Sequence, residues 1–119
     1  MSLFMRNGRC YGVTLWLSPR IEAWCCWEEV PMHCHPGQVV EVLPVMGNAV
    51  FVASSTDLPR RTKSEFICRS TWLSEWLTIP AGWAHKFYIY RKPLIFLNRT
   101  RGQSPAENFK ALAEIGKGE

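Results

Sequence analysis

At 119 residues the chain has room for one hydrophobic core and not for two. Apolar residues make up 47% of it and charged residues 20%, which is the composition of a globular domain and excludes a disordered chain. The net charge of +4 is a modest excess with acidic residues interspersed, so nucleic acid is not an expected partner. No stretch approaches the roughly 20 apolar residues of a membrane span, and no membrane association is expected.

The cysteines favour a reducing environment. Their number is odd, two of them are adjacent, and no Cys-x-x-Cys pair is present, which argues against a disulfide framework or a zinc finger. Residues 1–9 lack the apolar run of a signal peptide. We therefore expect a cytoplasmic protein with reduced thiols at Cys10, Cys25, Cys26, Cys34 and Cys68.

The first half of the chain predicts a meander of antiparallel strands. Aromatic, β-branched and sulfur-bearing residues fill 10–17 and 21–30, with the turn residues Ser18 and Pro19 between these runs. A third apolar run covers 39–45, and a strand over 49–53 follows the turn signal Gly47-Asn48. The six Trp, six Phe and three Tyr residues suit the core of a small β-barrel or sandwich.

In the second half, 54–71 is the least apolar region and is predicted to be a loop or irregular hairpin with Phe66 and Ile67 directed inward. Strands are then predicted at 72–79, 85–90 and 94–98, with turns at 80–82 and 91–93.

The C-terminal segment has a different pattern. Ser104, Pro105 and Glu107 form a helix-start signature, with a capping serine, a proline in the first turn and a glutamate three residues after the cap. Apolar residues then recur at helical spacing. We predict a short helix over about 105–115, packed outside a barrel that covers about 10–100, so that 1–119 is a single domain.

All three histidines of the chain fall in two short stretches. His33 and His35 are two residues apart, and on a strand that spacing directs both imidazoles to the same face. Cys34 then points the other way, as a small buried hydrophobe. His85 follows a Pro-x-Gly turn and enters a distant strand. Because imidazole is the commonest protein ligand of first-row transition metals, the pattern predicts a metal site.

These two stretches resemble the motifs of the cupin superfamily. Its first motif has His-x-His, an acidic ligand and a glycine turn, and its second reads Pro-x-Gly-x-x-His. The resemblance extends over about 31–90 and implies an all-β, antiparallel jelly-roll barrel. It also implies one divalent transition metal (Fe, Mn, Ni, Zn or Cu). The matching residues are His33, His35, Glu41 and Gly47 in the first motif, and Pro80, Gly82 and His85 in the second.

A fourth metal ligand is left open between two residues. Glu41 lies one position beyond the spacing that the family usually shows, and a one-residue slip on a strand directs a side chain to the opposite face. A bulge near Pro36 and Gly37 would restore Glu41. Alternatively, Gln38 binds through its amide oxygen, or the site consists of three histidines and no carboxylate.

By this resemblance the protein is expected to be a metal-dependent enzyme, a dioxygenase or else an isomerase or lyase, acting on a small metabolite in the barrel lumen. The alternatives are a non-catalytic ligand-binding module and a structural or assembly component. A homodimer is expected, with the strand over 11–17 as the pairing edge. The residues expected to line or rim the substrate pocket are Trp76, Trp83, Phe87 and Tyr88, with Lys86 and Arg91 to hold an anionic group.

Overall fold

The computed structural model describes residues 1–54, 66–69, 76–101 and 103–112. Within these ranges the chain forms strands and turns and contains no helix. Accordingly, no helix long and apolar enough to cross a membrane is found there. The nine strands are β1 (Ser2–Arg6), β2 (Arg9–Trp16), β3 (Ile21–Cys26), β4 (His33–Cys34), β5 (Val40–Ser54), β6 (Phe66–Arg69), β7 (Leu77–Ile79), β8 (Ala84–Arg99) and β9 (Lys110–Ala111).

The two long strands β5 and β8 are the spine of the fold. They pair antiparallel along their whole length, from Glu41 opposite Arg99 to Ser54 opposite Ala84. On its other edge β8 pairs with β3 and β4, while β5 pairs with β6 and β7. Strand β2 joins β3 to β1, and β9 extends the sheet beyond β4. The result is an antiparallel sheet that curls into a half-barrel around one core, as the sequence predicts.

The ladder of β5 and β8 bends where the sequence predicts turns. Its register shifts between Pro44 and Ala49, and Gly47 there has a φ of 93°. A Cβ atom at Gly47 would lie 2.4 Å from the carbonyl oxygen of Pro93, so only glycine fits. Both β5 and β8 continue through the bend as single strands. The turn signals at 47–48 and 91–93 therefore mark irregularities within strands, not hairpins.

Aromatic rings fill the concave side of the sheet. The Phe4 and Trp24 rings meet edge to face at a centroid distance of 4.8 Å, and Trp24 stacks on Phe96 at 5.8 Å. Phe96 in turn contacts Phe51 and Phe87, at 5.7 and 5.6 Å. Such pairs add to the hydrophobic gain of burial. These five rings thus form the centre of the core.

Two predictions about the edges of the sheet and the C-terminal segment need correction. The strand over 11–17 was expected to offer a free edge for pairing with a second copy. In the structure β1, which was not predicted, already pairs with that edge of β2, and β3 pairs with the other. The predicted helix does not form over 105–112, while 113–115 lie outside the described residues. Ser104 does cap a turn, since its Oγ accepts from the Ala106 N–H at 3.2 Å. The chain then leaves the turn because Lys110 and Ala111 pair with β4.

Candidate metal centre

The three histidines meet at the wall of the half-barrel. Strand pairing places His33 of β4 directly opposite His85 of β8, and His35 follows at the end of β4. The ring centroids lie 4.3 Å apart for His33 and His85, and 4.9 Å apart for each of the other two pairs. One ring nitrogen of each histidine lies within 4.8 Å of the others, and all three side chains are buried. This triad can hold a metal ion.

Main-chain carbonyl groups orient the three rings. The Nδ1 of His33 lies 2.7 Å from the Pro31 oxygen, and that of His85 lies 3.0 Å from the Trp83 oxygen. The Nδ1 of His35 bonds the carbonyl of Asn108. A carbonyl oxygen only accepts, so these contacts favour the tautomer with the proton on Nδ1; the His35 imidazole has the carbonyl of Pro105 as a second hydrogen-bond partner. This tautomer is the one in which Nε2 binds a metal.

Burial keeps the imidazoles neutral. It lowers the pKa of His85 to about 3, with repulsion from His35 as a further cause. Burial, and then the neighbouring His85 and His35, also hold the pKa of His33 well below its usual value, and burial lowers the pKa of His35. A metal needs unprotonated ligands. The donor set, its tautomers and its protonation therefore fit a transition metal.

The cavity beside the triad is small and largely apolar. Its volume is about 30 Å³, room for one or two water molecules. Besides the histidines, Asn98 contributes a polar side chain to its wall. The other lining residues are Trp24, Val30, Val40, Val42, Phe51, Ile79, Phe87, Phe96 and Pro105.

The C-terminal segment and β1 cover the triad, and sequence reasoning missed this contribution. The Phe109 ring stacks on His33 at a centroid distance of 4.4 Å with an interplanar angle of 21°. The guanidinium of Arg6 lies 4.6 Å from the centroid of the Phe109 ring. Arg6 also donates a hydrogen bond to the carbonyl of Ala106. The only sequence signal was the apolar Phe109, which helical periodicity assigned to a helix.

Neither candidate for a fourth ligand joins the triad. Val40 and Val42 line the cavity, so Glu41, between them, points outward and accepts a hydrogen bond from Arg99 Nε at 2.9 Å. Gln38 is buried, and its Nε2 donates to the carbonyl of Gln103 at 2.6 Å. It lies outside the lining of the triad cavity. Within the described part of the chain, the structure therefore brings together three histidines without a carboxylate.

The residues predicted to line the substrate pocket are dispersed. Phe87 does line the triad cavity. Trp83 packs against the core, and its carbonyl orients His85. The guanidinium carbon of Arg99 lies over the Trp76 ring, 4.1 Å from the ring centroid. Lys86 and Tyr88 lie on the opposite face of β8 from His85, with the Lys86 Nζ 4.5 Å from the Tyr88 ring, and the side chain of Arg91 is exposed.

Comparison with known proteins identifies the fold. No family model matches the sequence, and no curated protein matches it. Among solved structures, the chain is similar to an uncharacterized conserved protein with a double-stranded β-helix domain from Klebsiella pneumoniae. The two share 16% identity at a TM-score of 0.57, over 92% of this chain and 89% of that one. The chain has the cupin fold.

The other similar structures of the cupin fold belong to larger chains, and their named activities differ from one another. Hydroquinone 1,2-dioxygenase PnpCD, in complex with Cd²⁺ and 4-hydroxybenzonitrile, matches at 16% identity and a TM-score of 0.57, over 90% of this chain and 76% of its own. The DMSP lyase DddQ from Ruegeria pomeroyi matches at 18% identity and a TM-score of 0.55, over 78% of this chain and 48% of its own. Against similar chains with TM-scores of 0.59 to 0.63, this chain spans 30% to 56% of their length.

Proposed function

We propose that the protein is a metal-dependent enzyme that binds one divalent transition metal on His33, His35 and His85. The observation that carries this proposal is the convergence of three imidazoles whose Nδ1 atoms are all bound to main-chain carbonyls. Three protein ligands are the number that catalytic sites use, because they leave coordination positions open for water or substrate. A purely structural site would instead be closed by a fourth ligand.

When bound, the metal would supply Lewis acidity or a binding position for dioxygen. The residues around it would control what reaches that position. Phe51, Phe87 and Phe96 line the cavity with apolar rings, and an apolar environment strengthens electrostatic interactions. The amide of Asn98 can form a hydrogen bond with an oxygen-bearing ligand. Since no carboxylate among the described residues joins the histidines, three neutral ligands would leave the charge of the ion available to polarise that ligand.

Oxygen chemistry is the activity that we propose first. A cavity of about 30 Å³ suits a diatomic molecule or a water rather than an aromatic ring, so a larger substrate would have to approach from outside the triad. The dioxygenase PnpCD is one of the similar structures. Lewis-acid chemistry of a lyase or isomerase is the alternative within the enzyme class, and DddQ is a lyase with the same fold.

A second candidate function is a metal-holding or ligand-binding module without turnover. The same small cavity favours it, because a bound metal with one or two waters would fill the space completely. Phe109, stacked over His33, closes the triad on one side. Such a module would retain its metal tightly and release no product.

The two functions are separated by loading untagged protein with iron, manganese, nickel, copper or zinc in turn. Oxygen consumption and product formation are then measured across a panel of small metabolites. The enzyme proposal predicts turnover with at least one metal, and predicts that His35→Ala abolishes it. Lys86→Ala, a change on the opposite face of β8, serves as the matched control and should retain activity. Stoichiometric metal without turnover on any substrate would establish the module instead.

A further inference from the structure

A second and much larger cavity lies on the outer side of the loop that joins β4 to β5. Its volume is about 600 Å³, within the range of small-molecule sites and far above that of the triad cavity. We call it the arginine basin. Its lining residues are Arg20, Gly37, Gln38, Val39, Glu41, Arg99, Thr100 and Arg101.

The charges of the arginine basin are unbalanced. Among the described residues that line it, three arginines face a single carboxylate, that of Glu41. Glu41 binds Arg99 at 2.9 Å, and the Arg99 guanidinium also lies over the ring of Trp76. Arg99 is thus held in place and neutralised. Within the described part of the chain, the guanidinium groups of Arg20 and Arg101 have no carboxylate partner.

The two remaining arginines are held side by side by the main chain. Arg20 lies in the connection between β2 and β3, and Arg101 follows the end of β8. The N–H of Thr100 donates to the carbonyl of Arg20 at 3.3 Å, which joins these two segments. The Thr100 hydroxyl donates to the carbonyl of Gln103 at 3.2 Å. The positive charges are therefore brought together by tertiary structure and not by adjacency in sequence.

Gln38 fixes part of the wall of the basin. It is only 9% exposed, and its Nε2 donates to the carbonyl of Gln103 at 2.6 Å. Its Oε1 is enclosed by protein and out of reach of the basin. Among the described residues, the charged groups that the basin offers to a ligand are therefore the guanidinium groups of Arg20 and Arg101.

We propose that the arginine basin binds a small organic oxyanion. Guanidinium groups recognise carboxylate and phosphate oxygens in the same way, through paired charge-assisted hydrogen bonds. This binding site is separate from the histidine triad and needs no metal, so it goes beyond the proposed function and does not rest on it.

The test is isothermal titration of chelator-treated protein with two probes, inorganic phosphate and succinate, which separate a phosphate from a carboxylate ligand. We expect Arg20→Gln and Arg101→Gln each to weaken binding by about tenfold, the value of a hydrogen bond to a charged group. Arg9→Gln is the matched control, because Arg9 pairs with Glu28 away from the basin. It should leave binding unchanged.

The outcomes are distinct. Tighter binding of phosphate assigns the basin to phosphate esters, and tighter binding of succinate assigns it to carboxylic acids; either supports the proposal. Binding of neither probe would overturn it. Equal weakening by Arg9→Gln and Arg101→Gln would also overturn it, since attraction would then come from net charge alone.

Discussion

The triad cavity and the arginine basin lie on opposite sides of one loop and differ in almost every physical property. The triad cavity measures about 30 Å³ and the basin about 600 Å³. Aromatic and aliphatic side chains surround three neutral imidazoles in the first, whereas arginines dominate the second. His35 begins the loop and Gln38 lies within it, and the Gln38 N–H donates to the His35 carbonyl at 3.1 Å.

The difference shows how one short connection can serve two kinds of recognition. A small, largely apolar cavity keeps imidazoles unprotonated and suits a metal ion. A wide basin lined by arginines suits an anion that exchanges with solvent. The side-chain alternation of β5 separates the two, because Val40 and Val42 face the triad while Glu41 faces the basin.

The largest expected effect is the loss of metal from His85→Ala. This change removes one of three ligands and leaves a cavity that only two imidazoles face, so metal content should fall from about one ion per chain to near zero. Elemental analysis of untagged protein gives the measurement. Lys86→Ala should retain full metal content. If His85→Ala also retained it, the triad would not be the site.

Acidification should destabilise the metal-free protein through the triad. The folded-state pKa of His85 lies at about 3 and its ordinary value at 6.5, and those of His33 and His35 are also lowered. The unfolded chain therefore binds more protons below pH 6.5, so stability is complete above that pH and is lost as the pH falls toward 3. Each histidine contributes at most about 1.4 kcal/mol per pH unit to the slope.

Urea denaturation of the metal-free protein at several pH values between about 7 and 5 tests this slope. His85→Ala should show a shallower dependence on pH, because one titrating group is gone. An equally steep dependence in the variant would mean that other groups cause it.

Phe109→Ala should open the triad cavity without removing a ligand. Phe109 is half-buried against His33, so we expect a loss of about 2 kcal/mol in the free energy of unfolding, below the value for a fully buried ring. Metal affinity should fall because His33 is less well held. Tyr90→Ala, at a residue 70% exposed, is the control and should change neither quantity. Unaltered metal affinity in Phe109→Ala would limit Phe109 to a packing role.

Glu41→Gln should have the smallest effect on metal content and the clearest effect on oxyanion binding in the arginine basin. The Arg99 side chain holds the pKa of this carboxyl below its usual range, so Glu41 is charged at neutral pH. Its replacement removes the one negative charge of the basin and should tighten oxyanion binding. Stability should hardly change, because exposed ion pairs contribute little. Loss of metal from this variant would show that Glu41 is a ligand after all.

The sequence allowed the triad to be predicted but not its surroundings. His33 and His35 share a face because strand side chains alternate, and a Pro-x-Gly turn directs His85 into β8; both are local rules. The outward position of Glu41 follows from the same alternation, counted from Val40 and Val42. The fold class was confirmed for similar reasons, since strand periodicity and turn residues are local signals.

The C-terminal segment could not be predicted because distant contacts override its local preference. Ser104 and Glu107 favour a helix, and Ser104 does cap a turn. The chain beyond it gains more by pairing Lys110 and Ala111 with β4 and by stacking Phe109 on His33. Intrinsic helix propensity is weak compared with such packing. The arginine basin escaped prediction similarly, since Arg20 and Arg101 are far apart in sequence.

The most direct test of the histidine triad as a metal site is a long-range ¹H–¹⁵N NMR spectrum of the histidines before and after one equivalent of zinc. The chain has only three histidines, so every imidazole signal can be assigned. We expect all three to be neutral with the proton on Nδ1, and zinc to shift all three Nε2 resonances together. Protons on Nε2, or Nε2 resonances that zinc leaves unmoved, would contradict this expectation.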